Sequence, residues 1–174
     1  MSDPDSERIR NGQDLCLACG LCCQGVWFRH VGVDPDEAKL AQQAGLTLEF
    51  SGKDTTFQQP CVLHQNNQCS AYNAWRPKAC ACFRCALLDH YTEGQLSLGE
   101  AIVHVNAVKA LAGRVRGEMA DFRGVLSSEF NAQLTAQSLE SNNDQKSLPP
   151  EIELDAVSLI FYYKKYFKKK HDGK

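Results

Sequence analysis

The chain has 174 residues, 43% hydrophobic and 23% charged, with a formal net charge of −2. That length suits one compact domain with a helical extension and is short for two independent cores, and no run of eighteen apolar residues predicts a membrane span. Six lysines (Lys164, Lys165, Lys168, Lys169, Lys170, Lys174) against Asp172 give the last stretch +5 and leave −7 elsewhere, an acidic body that makes nucleic acid an unexpected partner.

In chain order, the acidic start Met1 to Glu7 shows no export or lipidation pattern, so the expected location is cytoplasmic. Cys16-Leu17-Ala18-Cys19-Gly20-Leu21-Cys22-Cys23 follows. Val26 to Val33 has the β-branched and aromatic content of a short strand. Asp34-Pro35-Asp36-Glu37 offers an N-cap, a proline at the first helical position and a glutamate at N3, predicting a helix to about Ala44 with Gly45 as its stop. Leu46, Leu48 and Phe50 alternate before the turn residues Ser51 to Asp54, and Thr55-Thr56-Phe57 completes a candidate hairpin.

From Ser97 the character changes. Ser97-Leu98-Gly99-Glu100 is a capping-box pattern, and Ala101, Val105, Val108, Ala112, Val115, Met119, Phe122 and Leu126 form an apolar stripe over roughly seven turns. Packing within its own domain is the expected use of that stripe, because glycines at 113, 117 and 124 weaken a long free helix or coiled coil. Phe130 and Leu134 continue it or begin a second helix. Ser141 to Ser147 reads as a linker, and Pro149-Pro150 forbids continuation while favouring a fresh start. Glu151 to Lys170 reads as a last helix, acidic at its start and basic at its end, with Ile152, Val157, Ile160, Phe161 and Phe167 on an apolar side that docks on the body or on a protein partner. Its lysines are expected to form a solvated face.

These elements predict an α+β fold, predominantly helical, with an irregular cysteine-rich N-terminal half carrying short strands and a helical C-terminal half. The expected divisions are 1–96 for the cysteine region, 97–140 for helix packed on it, 141–150 for a linker and 151–174 for the basic helix.

Nine cysteines dominate the chemistry: Cys16, Cys19, Cys22, Cys23, Cys61, Cys69, Cys80, Cys82 and Cys85. Their odd count and the absence of an export signal argue against disulfides, so reduced thiols at short spacing read as a ligand set for zinc or iron. Two-residue spacers turn consecutive thiolates toward one centre, and Gly20 permits the tight backbone this requires. Cys16, Cys19 and Cys22 also have the spacing of bacterial ferredoxins, whose thiolates hold an iron-sulfur cluster, with a fourth ligand to come from Cys61, Cys69 or Cys80. Cys22 and Cys23 are adjacent and project differently, so either they serve different ions or one ligates and the other supports. Two sites, or one site with spare thiols, both fit the count. His64, three after Cys61, is a candidate ligand, although a surface or hydrogen-bonded histidine is the commoner role. His30, His90, His104 and His171 have no better claim.

The string Cys16 to Cys23, followed by Pro60-Cys61-x-Leu63, Cys69-x-x-Tyr72 and Arg76-Pro77-x-x-Cys80, resembles the zinc- or iron-chelating CxxCxxCC domain family of YkgJ-type cysteine-cluster proteins, over about residues 14 to 85. The resemblance implies that Cys16, Cys19, Cys22, Cys23, Cys61, Cys69 and Cys80 are the ligand pool. It also implies that Arg76-Pro77 shapes the loop presenting Cys80, with Arg76 a hydrogen-bond donor to thiolate sulfur. Cys82 and Cys85 lie outside that motif, so removing Cys85 is expected to matter less than removing Cys19 or Cys22. The helical C-terminal half is outside it too. Flagellin lysine methylases of the family are larger, and this chain has no glycine-rich loop for an adenosyl methyl donor. The expected function is thiolate chelation of a metal; the alternatives are a protein-modifying or redox enzyme, or a structural zinc module for protein–protein interaction.

Overall fold

The computed structural model describes residues 12–119, 122–125, 127, 130–131 and 148–168. Within them, α1 (Gln13–Cys19) precedes β1 (His30–Gly32), and a 3-10 turn at Pro35–Glu37 leads into α2 (Ala38–Gln43). Strands β2 (Leu48–Ser51), β3 (Asp54–Gln58), β4 (His64–Gln65) and β5 (Gln68–Cys69) follow, then α3 (Lys78–Cys82), α4 (Ala86–Thr92), α5 (Leu98–Glu118) and α6 (Pro150–Tyr162), which widens into a π turn at Tyr163–Phe167. The fold is α+β, with short sheets in the N-terminal half and the longest helices in the C-terminal half.

The hairpin forms as expected: β2 and β3 pair antiparallel from Leu48 opposite Phe57 to Ser51 opposite Asp54. β1 adds to the other edge of β3, giving the order β1-β3-β2. The strand expected over Val26 to Val33 is shorter than its composition suggests: it pairs with β3 over His30–Gly32, flanked by bonds from Val33 N to Thr55 O (2.8 Å) and from Gln59 N to Arg29 O (2.9 Å). Gly25 and Val26 instead accept from Gly124 N at 2.7 Å and Val125 N at 2.8 Å.

The expected cap at Asp34 is not made; Pro35 sits at the start, but Asp34 has no side-chain capping bond. Glu37 caps a different helix, its carboxylate accepting from Lys78 N at 3.0 and 3.3 Å. That ties the first turn of α3 to the 3-10 turn, with Lys78 Nζ reaching Asp34 and Asp36. Ser97 and Glu100 do form the capping box of α5.

Ala101, Val105, Val108, Ala112 and Val115 are at most 2% exposed, so the stripe of α5 packs inside this chain, chiefly on α6. Each such side chain contributes roughly 1.5–3 kcal/mol relative to exposure when it is valine-sized or larger. The helix ends at Glu118, short of the expected seven turns, because Met119 is extended (φ −106°, ψ 110°). Phe122 and Val125 still enter the core. On α6 the buried face is Ile152, Ala156 and Leu159, with Phe167 buried in the π turn, whereas Val157 and Phe161 are exposed, correcting the expected face. Leu126, Leu134, the 141–147 stretch, Lys169, Lys170, His171 and Lys174 lie outside the described residues.

Two hydrophobic clusters result. The large one gathers α1, α4, α5 and α6 around Leu21, Trp27 and Leu159; the small one joins Val33, Ala41, Leu46 and Phe57 beneath the three-stranded sheet. Cys16, Cys19, Cys22 and Cys85 pack against the large cluster, and Cys61 and Cys80 against the small one.

Candidate metal centre

Cys16 and Cys19 stand on α1, which stops at Gly20 in the left-handed conformation (φ 63°), its N–H bonded to Cys16 O. A second tight turn follows at once, with Gln24 N donating to Gly20 O and Val26 N to Leu21 O. These successive turns wind Cys22 back beside Cys19. Space also demands glycine at 20, since a Cβ there would stand 2.6 Å from His64 Nε2. Cys85 arrives from the far end of the cysteine region as the N-cap of α4, its Sγ accepting from Leu88 N at 3.4 Å. Arg84 braces that turn through Asp89 (2.7 Å) and Thr92.

Cys16, Cys19, Cys22 and Cys85 all pack against the large core. Burial pushes Cys19 up to about 12 and Cys85 up to about 11, and the neighbouring thiolates add: Cys85 and Cys16 act on Cys19, and Cys16 on Cys85. Cys22 is raised well above the ordinary thiol range by burial, then by Cys19 and Cys85.

Cys23 begins a second group. Its carbonyl accepts from Cys61 N at 2.8 Å. Cys69 lies on β5 directly opposite His64 of β4, and Cys80 lies on α3, the helix held by Glu37. Cys61 and Cys80 pack against the small core. Burial pushes Cys23 up to about 12, with Cys61, Cys69 and Cys80 as the next causes; Cys80 is pushed up to about 11 by burial, Cys61 and Cys69. The eight thiols therefore gather four and four, joined by the Cys22–Cys23 peptide.

One cavity of about 340 Å³ is lined by all eight. Among the described residues no three His, Cys, Asp or Glu side chains converge tightly enough to hold a single metal ion. The donor set nonetheless suits thiolate chemistry, because the Leu88 N–H already donates to Cys85 Sγ at 3.4 Å, and the backbone N–H groups of Leu21 and Leu63 lower the pKa values of Cys19 and Cys61 against the upward push of burial. Such bonds favour the charged form that a metal requires.

The ninth, Cys82, is exposed on α3 and does not line the cavity. The fourth member of the first group is thus Cys85, where Cys61, Cys69 or Cys80 was expected. Arg76 acts on sulfur by its charge and through Tyr72: its guanidinium lies 4.0 Å from the Tyr72 ring centroid, Tyr72 lowers the pKa of Cys16, and the charge of Arg76 opposes the upward push of burial on Cys16 and Cys80. The role of Tyr72 was hinted at only by its Cys69-x-x-Tyr72 spacing. Trp27 and Tyr163 were not foreseen. Trp27 lines the cavity, and Tyr163, packed on Trp27, is raised by burial and by Cys22 and Cys85.

His64 lines the cavity as well, and burial lowers its pKa. His30 faces Glu49 at 3.8 Å, and His104 stacks on Tyr166. No helix among the described residues is long and apolar enough to cross a membrane.

Neither a curated protein nor a solved structure matches this chain. A family does match, over residues 15–101, described as "Putative zinc- or iron-chelating domain". That span runs from the residue before Cys16 into α5 and so contains both groups of thiols. With half of its length matched and the cysteine cavity inside the match, the chain belongs to the CxxCxxCC family of metal-chelating domains.

Proposed function

We propose that this protein holds two thiolate-ligated centres, one on Cys16, Cys19, Cys22 and Cys85 and the other on Cys23, Cys61, Cys69 and Cys80, and that both are iron-sulfur clusters. The observation that carries this reading is the grouping of eight sulfurs, four and four by their mutual influence, along one cavity of about 340 Å³. A structural zinc ion draws four sulfurs to about 2.3 Å from a single point, and needs no space beyond them. The cavity of about 340 Å³ among the eight thiols leaves room for a polynuclear cluster, whose inorganic sulfides fill the middle. The spacing of Cys16, Cys19 and Cys22 with one remote cysteine supports the same choice for the first centre. Such clusters supply reversible one-electron transfer, and the protein's part is to exclude water, aim N–H groups at sulfur and fix the two centres side by side.

Anaerobic purification with iron, acid-labile sulfide and zinc analysis tests this. A brown protein with near-equal iron and sulfide, bleaching in air, is the expected result. A colourless protein with one zinc per four cysteines would replace it with the structural zinc reading.

A further inference from the structure

Among the described residues, three buried side-chain polar atoms lack a hydrogen-bond partner: Trp27 Nε1, Gln59 Oε1 and His64 Nε2. All three side chains line the cavity of the eight cysteines. Buried polar groups in folded proteins are almost always paired, so three exceptions around one space point to what that space receives. Gln59 presents an oxygen and offers no donor to sulfur there. The other two are nitrogens that donate when they carry hydrogen.

Trp27 is 1% exposed and held between Tyr163 (centroids 5.3 Å apart) and Phe167 (4.9 Å), which fixes its ring and keeps water from its N–H. It belongs to the core cluster against which Cys16, Cys19, Cys22 and Cys85 pack. His64 is directly opposite Cys69 in the β4–β5 pair, so the two side chains leave the same face of that ribbon. Its Nε2 is shut in against Gly20 of the cysteine loop.

We propose that Trp27 Nε1–H and His64 Nε2–H donate hydrogen bonds to sulfur of the bound centres, Trp27 at the Cys16, Cys19, Cys22, Cys85 group and His64 at the Cys23, Cys61, Cys69, Cys80 group. A thiol is a weak acceptor. The same sulfur becomes a strong, charged one when a metal displaces its proton to solvent, so these donors find partners on loading. The inference rests on the two-centre reading above.

The test uses the full chain and Cd²⁺ as a diamagnetic thiolate probe, with uptake followed by sulfur-to-cadmium absorbance under chelator competition. In a Trp75→Phe background, which leaves Trp27 the sole indole, the ¹H–¹⁵N indole signal is expected to move as the centres fill. Trp27→Phe and His64→Leu are each expected to keep the wild-type cadmium count while binding about tenfold or more weakly. His64→Gln, which retains an N–H, is expected to recover most of that loss. An indole signal that stays still while both centres fill would overturn the role of Trp27, even if Trp27→Phe does not fold. His64→Gln binding as weakly as His64→Leu, or His64→Leu binding as tightly as wild type, would overturn that of His64. A wild-type chain that takes up no cadmium would sink the two-centre reading, and this inference with it.

Discussion

Replacing Cys85 by serine separates the proposed partition of thiols from one in which the family motif alone supplies ligands. Cys85 has two jobs: its sulfur stands with Cys16, Cys19 and Cys22, and it caps α4 by accepting from Leu88 N. Serine is a preferred N-cap, so the substitution keeps the capping bond and costs the helix little. What it removes is one of four thiolates at the first centre, while Cys23, Cys61, Cys69 and Cys80 are untouched. Three thiolates no longer enclose a cluster, so the variant is expected to retain about half the wild-type metal, all of it at the second centre. Its far-UV circular dichroism should match wild type. Cys82→Ser is the control, because Cys82 is exposed and away from the cavity, and its metal content should be unchanged. The assay is iron, sulfide and zinc per chain after anaerobic purification. Full metal in Cys85→Ser, or an equal loss in Cys82→Ser, would refute the four-and-four division.

Further predictions concern protons and the frame. In the metal-free chain the thiols of Cys19, Cys23, Cys80 and Cys85 are held above their ordinary value of 9.0, to between about 11 and about 12. A raised folded-state pKa gives stability that is complete below 9.0 and drains away as pH climbs toward 12, so urea midpoints of the metal-free protein should fall across that alkaline window. Metal uptake must expel the same protons, so apparent affinity should rise with pH through the neutral range, with up to about four protons released per centre; a pH-independent affinity would contradict thiolate ligation. Gly124→Ala should destabilise by at least ~1 kcal/mol, since φ is 67° there and a Cβ would stand 2.7 Å from Arg29 N. Urea unfolding checks it, and an unchanged midpoint would mean this segment does not brace the cysteine loop. Ser97→Ala removes the capping box of α5 and is expected to cost ~1 kcal/mol in the same assay.

The elements that local chemistry dictates were legible in the chain. The Ser97 capping box, the stop at Gly45, the hairpin around Gly52 and the fresh start at Pro150 depend on backbone conformations and caps that nearby residues specify. The readings that failed depend on distant partners. Glu37 looked like the N3 residue of its own helix because capping boxes are local, yet its carboxylate is taken by Lys78 N, 41 residues away. Val157 and Phe161 looked buried by their apolarity, but the face α6 presents to α5 is Ile152, Ala156 and Leu159. At the site, the cysteines as one pool followed from spacing, and the adjacency of Cys22 and Cys23 allowed two destinations. Spacing could not assign Cys85 over Cys82, because that choice is made by the break between α3 and α4, which leaves Cys82 outside and turns Cys85 inward. No pattern along the chain marked Trp27, whose role depends on the π turn that brings Tyr163 and Phe167 against it.

The single peptide bond between Cys22 and Cys23 has a consequence for how the centres fill. Whichever group is occupied first pins the carbonyl and amide that orient the other, so the second occupant meets a loop whose conformational freedom is already spent. Partially occupied molecules should therefore be scarce at intermediate metal concentrations, with uptake curves steeper than those of two independent sites.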